Sequence, residues 1–238
     1  TVGGQTASVT YTIGKATPKA EDFTFTAPTS LTYDGNVKSA TVSPAKAGTG
    51  DVIVKYYDKD GKEATPQNAG EYTVKIDVAE STNYAAANGL TADGWKFSIT
   101  KAAAPAAETG SLTITNGTQL TYTYDFSKLL PELSEGEYGT ISYGNQADIS
   151  LVSQSGYYYD ETIVEFKNGV LILAQFYAKD GKMTGKIGTV KVNVTTTNYA
   201  DFQLKLVLNA VDQIKPTPDG TITASEITYG NELSMSTI

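Results

Sequence analysis

Apolar and polar residues alternate strictly along several short stretches of this chain, which is the pattern of a β-strand with one buried face. The clearest stretch is 71–78, whose inward face would carry only apolar side chains: Tyr72, Val74, Ile76 and Val78. Residues 8–13, 96–99 and 202–208 repeat this alternation more briefly. The pattern predicts an all-β chain of short strands that cover an apolar core on one face.

Turn residues separate these stretches at defined places. Asp60-Gly61 lies between strand-forming runs at 51–57 and 63–65, and Asn168-Gly169 lies in a second such position. Asp-Gly and Asn-Gly favour the tight turns of β-hairpins. Residues 127–131 instead resemble one helical turn that ends near Pro131.

Short motifs recur along the chain. Leu-Thr-Tyr at 31–33 is followed by Leu-Thr-Tyr at 120–122 and Ile-Thr-Tyr at 227–229. Thr-Asn-Tyr occurs at 82–84 and at 197–199. Self-similarity of this kind indicates tandem modules.

Lys15-Ala16 and Lys101-Ala102 follow alternating stretches and mark the ends of modules, with a weaker third junction near Asn209-Ala210. The predicted organisation has four parts: the last strand of a preceding repeat at 1–16, an Ig-like repeat module at 17–102, a second Ig-like repeat module at 103–214, and the start of a third, truncated repeat at 215–238. Each module should be a small antiparallel β-sandwich (Ig-like).

The second module is longer than the first. Tyr33 and Tyr57 are 24 residues apart, whereas the matching Tyr122 and Tyr177 are 55 residues apart, so the second module carries an insertion of 31 residues around 127–170. Loops on a β scaffold often carry binding sites, so this insertion is the preferred place for one.

Composition excludes several classes of chemistry. The chain has no His, no Cys and no Arg, and all 18 basic residues are Lys. His and Cys dominate zinc sites and catalytic triads, so we expect no enzyme activity, no cofactor and no metal. A net charge of −8 disfavours nucleic acid and anionic membrane surfaces as partners.

Four groups of residues could still carry chemistry. Asp58–Glu63 could bind calcium, although a hairpin turn explains the same residues. Tyr157-Tyr158-Tyr159 could stack on sugar rings or form an ordinary strand. Trp95 is expected to pack in a core or between modules. Carboxylates could pair across a cleft as in a glycosidase, or lie in solvated loops: Glu132, Glu135, Glu137, Asp160, Glu161 and Glu165.

Four segments together resemble a known family: Leu-Thr-Tyr-Asp-Gly at 31–35, Asn-Ala-Gly-Glu-Tyr-Thr-Val at 68–74, Asn-Tyr at 83–84 and Phe-Ser-Ile-Thr-Lys-Ala at 97–102. They are similar to the bacterial MBG/YDG-type immunoglobulin-like repeats of large cell-surface, adhesin-like proteins. The resemblance implies a β-sandwich or β-grasp-like repeat in a secreted or wall-anchored protein. It brings no catalytic residues to this chain.

These observations predict a non-catalytic spacer segment of an extracellular bacterial surface protein, whose Ig-like repeats present an adhesive region. Its partners would be neighbouring repeats of the same chain. The alternative is a module that binds carbohydrates or glycoproteins, from host or environment, through the insertion of the second repeat. A hydrolase would require two carboxylates that face each other across a cleft.

Overall fold

The structure, a computed structural model, describes residues 4, 8–116, 120–134, 136–144, 147–151, 157–158, 163–178 and 184–212. Within these residues the chain forms β-strands, two short 3₁₀ helices (Ala20–Asp22 and Phe126–Leu129) and no α-helix. The strands in chain order are β1 (Phe23–Thr26), β2 (Thr41–Pro44), β3 (Val52–Tyr57), β4 (Gly70–Val78), β5 (Ala87–Leu90), β6 (Lys96–Ile99), β7 (Thr109–Thr115), β8 (Leu120–Asp125), β9 (Ile141–Tyr143), β10 (Asp148–Leu151), β11 (Tyr157–Tyr158), β12 (Ile163–Lys167), β13 (Val170–Ala178), β14 (Gly185–Thr196) and β15 (Phe202–Val211).

The first core lies between a two-stranded sheet, β1–β2, and a sheet in which β4 pairs with β3, β5 and β6. The alternation predicted for 71–78 is present in β4, whose inward side chains are at most 6% exposed: Tyr72, Val74, Ile76 and Val78. Trp95 belongs to this core, as predicted, and stacks on Phe25 with ring centroids 6.1 Å apart. Removing these side chains from water is the main stabilising contribution in so small a module.

The second core lies between a five-stranded sheet of β7, β9, β10, β14 and β15 and a four-stranded sheet of β8, β11, β12 and β13. Leu171 and Leu173 of β13 pack in one buried cluster with the inward residues of β14 and β15. Phe126 and Leu129 pack against this cluster. They belong to a 3₁₀ helix, Phe126–Leu129, close to the helical turn that the sequence predicted at 127–131. The predicted all-β chain of tandem small β-sandwich modules is thus confirmed.

In both modules the opening segment pairs in parallel with the closing strand. β7 is parallel to β15, and Thr32 forms a parallel bridge with Thr100. The remaining pairings between the described strands are antiparallel. Because the opening segment runs parallel to the closing one, the chain enters a module at one end and leaves it at the opposite end.

This pairing corrects one predicted match between the modules. Tyr33 donates its N–H to the carbonyl of Thr100 at 2.9 Å, and Asn116 donates in the same way to Val211 at 2.7 Å. Asn116 is therefore the counterpart of Tyr33. The predicted match of 31–33 with 120–122 is wrong, because Leu120–Asp125 forms β8 and pairs with β13 in the other sheet. Leu-Thr-Tyr suits any half-buried strand, so the motif alone does not fix a strand's place.

The residues assigned to the insertion contribute to both sheets of the second module. β9 and β10 pair with β14 on the side where β3 lies on β4 in the first module. β12 and β13 form a hairpin whose turn has Asn168 at φ 50° and Gly169 at φ 81°, which confirms the predicted Asn-Gly turn. β13 resembles β3 in sequence but pairs with β8, β11 and β12. The added strands therefore change the partner of β13.

Residues 8–15 form no strand, and Val9, Tyr11 and Ile13 are 70%, 83% and 95% exposed. The half-buried strand predicted at 8–13 is absent, because no described sheet lies against this segment. That 1–16 ends a preceding repeat stays a prediction, as do the module boundaries. The predicted third repeat at 215–238 lies outside the described residues. Among the residues that are described, no helix has the length and apolar character needed to cross a membrane.

Candidate functional site at the junction of the modules

The linker after the first module docks on the second module as an extra length of strand. Ala102 forms a parallel bridge with Tyr199. Its N–H donates to the carbonyl of Asn198, and its carbonyl accepts from the N–H of Ala200, both at 2.8 Å. Lys101 adds an ion pair to Asp201 at 3.3 Å. The small side chains of the Ala-rich linker allow this close backbone approach.

Asn198 lies at the centre of the junction and is fully buried. Its Oδ1 accepts from the N–H of Ala69 at 2.9 Å. Its Nδ2 donates to Oδ1 of Asn68 at 3.0 Å and to the carbonyl of Glu137 at 2.9 Å. A buried amide without partners would cost about 1–3 kcal/mol, so these hydrogen bonds hold the 68–69 loop of the first module against the second.

Aromatic rings from both modules surround this amide. Tyr33 of the first module meets Tyr199 edge-on, with centroids 5.6 Å apart. Tyr199 meets Tyr138 at 5.7 Å, and Tyr138 stacks on Phe202 at 6.3 Å. Tyr199 also packs against the core of the first module. The junction is therefore an apolar contact with a hydrogen-bonded amide inside it.

The phenols of the junction are held in their neutral form. Burial is the main cause that raises the pKa of Tyr33, Tyr138 and Tyr199 above the ordinary value of 10.0. The negative charge of Glu137 raises the pKa of all three phenols further. Ionisation of any of these rings would place a negative charge in the contact, which the surroundings oppose.

Local hydrogen bonds fix the loop that presents Asn198. Thr196 Oγ1 donates to the carbonyl of Tyr199 at 3.0 Å and accepts from its N–H at 2.9 Å. Thr197 Oγ1 accepts from the N–H of Thr140 at 3.0 Å. Gly139 has φ 65°, and a Cβ there would lie 2.7 Å from the Cβ of Thr197. The loop thus needs a glycine opposite Thr197.

The first module carries the same loop. Ser81 Oγ accepts from the N–H of Tyr84 at 3.1 Å, as Thr196 does for Tyr199. Gly48, at φ 80°, lies beside Asn83 as Gly139 lies beside Asn198. The loop 81–85 is therefore the counterpart of 196–200, in structure as well as in the Thr-Asn-Tyr motif.

The segment before the first module docks on that loop in the same way. Ala16 bridges Tyr84 in parallel. Its N–H donates to Asn83 and its carbonyl accepts from Ala85, both at 2.9 Å. Lys15 forms an ion pair with Glu80. Lys-Ala and Thr-Asn-Tyr are thus the two halves of one connection, which occurs at Ala16 with Tyr84 and at Ala102 with Tyr199.

Residues Asp58–Glu63, for which the sequence left calcium binding as an alternative to a hairpin turn, form the hairpin turn. Oδ1 of Asp58 accepts from the N–H groups of Asp60 and Lys62, at 3.0 and 2.9 Å, and Gly61 has φ 76°. The Asp58 carboxylate that calcium would require is therefore engaged by the turn itself. The described residues contain no group of three or more acidic side chains placed to hold a metal ion.

The other predicted candidates are only partly described. Tyr157 and Tyr158 form β11 on the edge of β13, while Tyr159, Asp160, Glu161 and Glu135 lie outside the described residues. Glu132 and Glu165 are exposed. The carboxylate of Glu137 accepts from the N–H of Ser134 at 2.6 Å and caps its own loop.

Asn198 was not among the residues that the sequence marked as a site. Its Thr-Asn-Tyr motif is visible as a repeat, but the hydrogen bond to Ala69 joins residues 129 positions apart. The signal available in the sequence was that both Thr-Asn-Tyr and Lys-Ala occur twice. Only the fold brings the two motifs together.

No family model matches this chain, and no curated protein matches it. Among solved structures it is similar to a three-Ig fragment of titin, with 11% identity, a TM-score of 0.30, and coverage of 83% of this chain and 62% of that one. A titin structure of domains z1z2 in complex with telethonin gives 13%, a TM-score of 0.27, and coverage of 80% and 97%. An endo-fucoidan hydrolase of glycoside hydrolase family 107 gives 10%, a TM-score of 0.24, and coverage of 81% and 24%.

Proposed function

We propose that this chain is a non-catalytic spacer segment of a bacterial cell-surface protein. In this function, β modules joined in series hold an adhesive region away from the cell. The observation that carries the proposal is the junction built on Asn198, because a linker between independent domains would need no buried polar contact. A fixed angle between modules makes the segment a rigid spacer, here called a strut. The net charge of −8 favours the solubility of such a spacer.

The described part of the insertion supports the spacer over the alternative of carbohydrate or glycoprotein binding. β9 and β10 pair with β14, and β12 pairs with β13. Phe126 and Leu129 are buried in the core. These residues extend the sheets and core of their own module. Glycan binding through Tyr157–Tyr159 stays a prediction, which a glycan-array screen of the whole chain would test.

The stiffness of the junction tests the spacer function directly. The chain has no Cys, so Lys62→Cys and Lys205→Cys, both at exposed positions, place one nitroxide label on each module. Pulsed electron–electron double resonance should give one narrow distance distribution. Asn198→Ala removes three hydrogen bonds across and beside the junction and should broaden the distribution about twofold or more, because these bonds hold the 68–69 loop in place.

Asn193→Ala is the matched control. Asn193 is an exposed residue of β14 whose side chain is bonded within its own module, to Gln203 at 2.9 Å. This variant should leave the distribution unchanged. A distribution that is already broad with Asn198 present would contradict the strut.

A further inference from the structure

The loop 81–85 of the first module presents a surface that the same loop of the second module buries. Asn198 is fully buried, whereas Asn83 is exposed. The backbone half of the connection is complete at both loops, through Ala16 in one case and Ala102 in the other. In the second module the Asn198 side chain and the Tyr199 ring also contact the backbone N–H of Ala69, the side chain of Asn68 and the ring of Tyr33. These contacts have no counterpart among the residues described around Asn83.

We propose that Asn83 and Tyr84 are the docking surface for the far end of another module of this type. Its Asn68–Ala69 loop would hold the Asn83 amide, and its Tyr33 ring would lie on Tyr84. This inference rests on the proposed spacer function and names the partner that the first module accepts. Three features support it: the shared loop geometry, the open amide, and its continuity with the linker contact that Ala16 already makes.

The chemistry of the surface selects this occupant. A side-chain amide offers one acceptor and two donors. The Asn68–Ala69 loop supplies the backbone N–H of Ala69 and the side-chain Oδ1 of Asn68, the two groups that bind Asn198. Tyr84 is half-buried beside it, so a second ring would extend apolar contact already begun. Ala47 precedes Gly48 where Tyr138 precedes Gly139, so this contact would have one ring fewer than the second junction.

The test joins two copies of the sequence in one chain. Residues 1–102 form the leading copy, and residues 17–238 follow directly as the following copy, so that Ala102 of the leading copy takes the place of Ala16. Lys62→Cys in the leading and in the following copy gives two labels across the new junction. We expect a narrow distance distribution, which Asn83→Ala in the following copy alone should broaden about twofold or more, as loss of the central amide does.

Two controls keep the result interpretable. In the original chain, Asn83→Ala should leave the unfolding midpoint unchanged, because the side chain is exposed there; this shows that the variant folds. Asn198→Ala in the extended chain should leave the new junction narrow, because it acts only on the following one.

The outcomes separate this inference from the proposed function. A broad distance distribution across the new junction with Asn83 present would contradict the docking surface. A narrow distribution with alanine in place of Asn83 would contradict it as well. If the junction at Asn198 is narrow in the same extended chain, labelled at Lys62→Cys of the following copy and at Lys205→Cys, the spacer function stands alone. Broad distributions at both junctions would overturn both proposals.

Discussion

At the scale of single residues, the junction depends on a few side chains whose geometry leaves little choice. Asn198 satisfies its carbonyl oxygen once and its amino group twice, without a charge that burial would penalise. An aspartate in its place would bury a negative charge near Glu137, and a leucine would leave the Ala69 N–H without an acceptor. An amide of this length is the side chain that meets both demands.

Gly139 is the second residue with no equivalent replacement. Gly139→Ala should lower the free energy of unfolding of the second module by about 1–3 kcal/mol, because alanine strains a backbone at positive φ and its Cβ would strike Thr197. Gly136 is also at positive φ, 80°, but a methyl group there would meet open space, so Gly136→Ala should cost only about 1 kcal/mol. Urea denaturation followed by far-UV circular dichroism compares the two variants. Equal losses would show that the contact with Thr197 does not matter.

At the scale of elements, each module is stabilised by a central strand with one buried face. β4 binds β3 on one side and β5 and β6 on the other. β14 likewise binds β15 on one side and β9 and β10 on the other. Both central strands alternate between buried and less buried side chains, over 71–78 in β4 and over 188–196 in β14.

The two faces of the first sheet should respond very differently to the same substitution. Ile76→Ala removes a fully buried side chain of β4 and should cost about 2–5 kcal/mol. Ile53→Ala, on the paired strand β3, removes a side chain that is 60% exposed and should cost about 0.5 kcal/mol or less. Trp95 is the only tryptophan and lies in this core, so its fluorescence in urea reports this module alone. Similar losses for both variants would contradict the assignment of the inner face.

At the scale of the whole molecule, the two modules form one connected object. The backbone, the buried amide and the tyrosine rings all join across a short linker, so the angle between the modules is set by side-chain packing. Ala16 makes the same backbone contact with the loop 81–85, so the two modules share one type of connection.

High pH should loosen this connection. The pKa values of Tyr33, Tyr138 and Tyr199 are raised, so the neutral phenols stabilise the junction fully below pH 10.0, and this contribution is lost as the pH rises through the folded-state pKa values. The distance distribution between labels at Lys62→Cys and Lys205→Cys should therefore stay narrow up to about pH 10 and broaden above it. Tyr199→Phe cannot ionise at its position and should weaken this dependence. A distance distribution whose width does not change with pH in the chain that retains Tyr199 would contradict this prediction.

Much of the fold could be predicted from local pattern. The strand at 71–78, the hairpins at Asp60-Gly61 and Asn168-Gly169 and the place of Trp95 in a core follow from alternation and turn chemistry, which act between near neighbours. The match of 120–122 with 31–33 failed because Leu-Thr-Tyr fits either sheet. The strand at 8–13 failed because alternation shows that a face could be buried, not that a sheet is present to bury it.

By itself, the sequence determined the all-β class, the tandem modules, the central strand and its inner face, since each depends on the period of side chains along a few residues. Only the tertiary structure decided that β7 is parallel to β15 and that Thr32 bridges Thr100 in the same sense. It also decided that β13 pairs with other strands than its sequence suggests, and that Asn198 joins the modules. The physical reason is distance along the chain: the hydrogen bond between Ala69 and Asn198 spans 129 positions, and no local pattern encodes which distant groups will satisfy a buried amide.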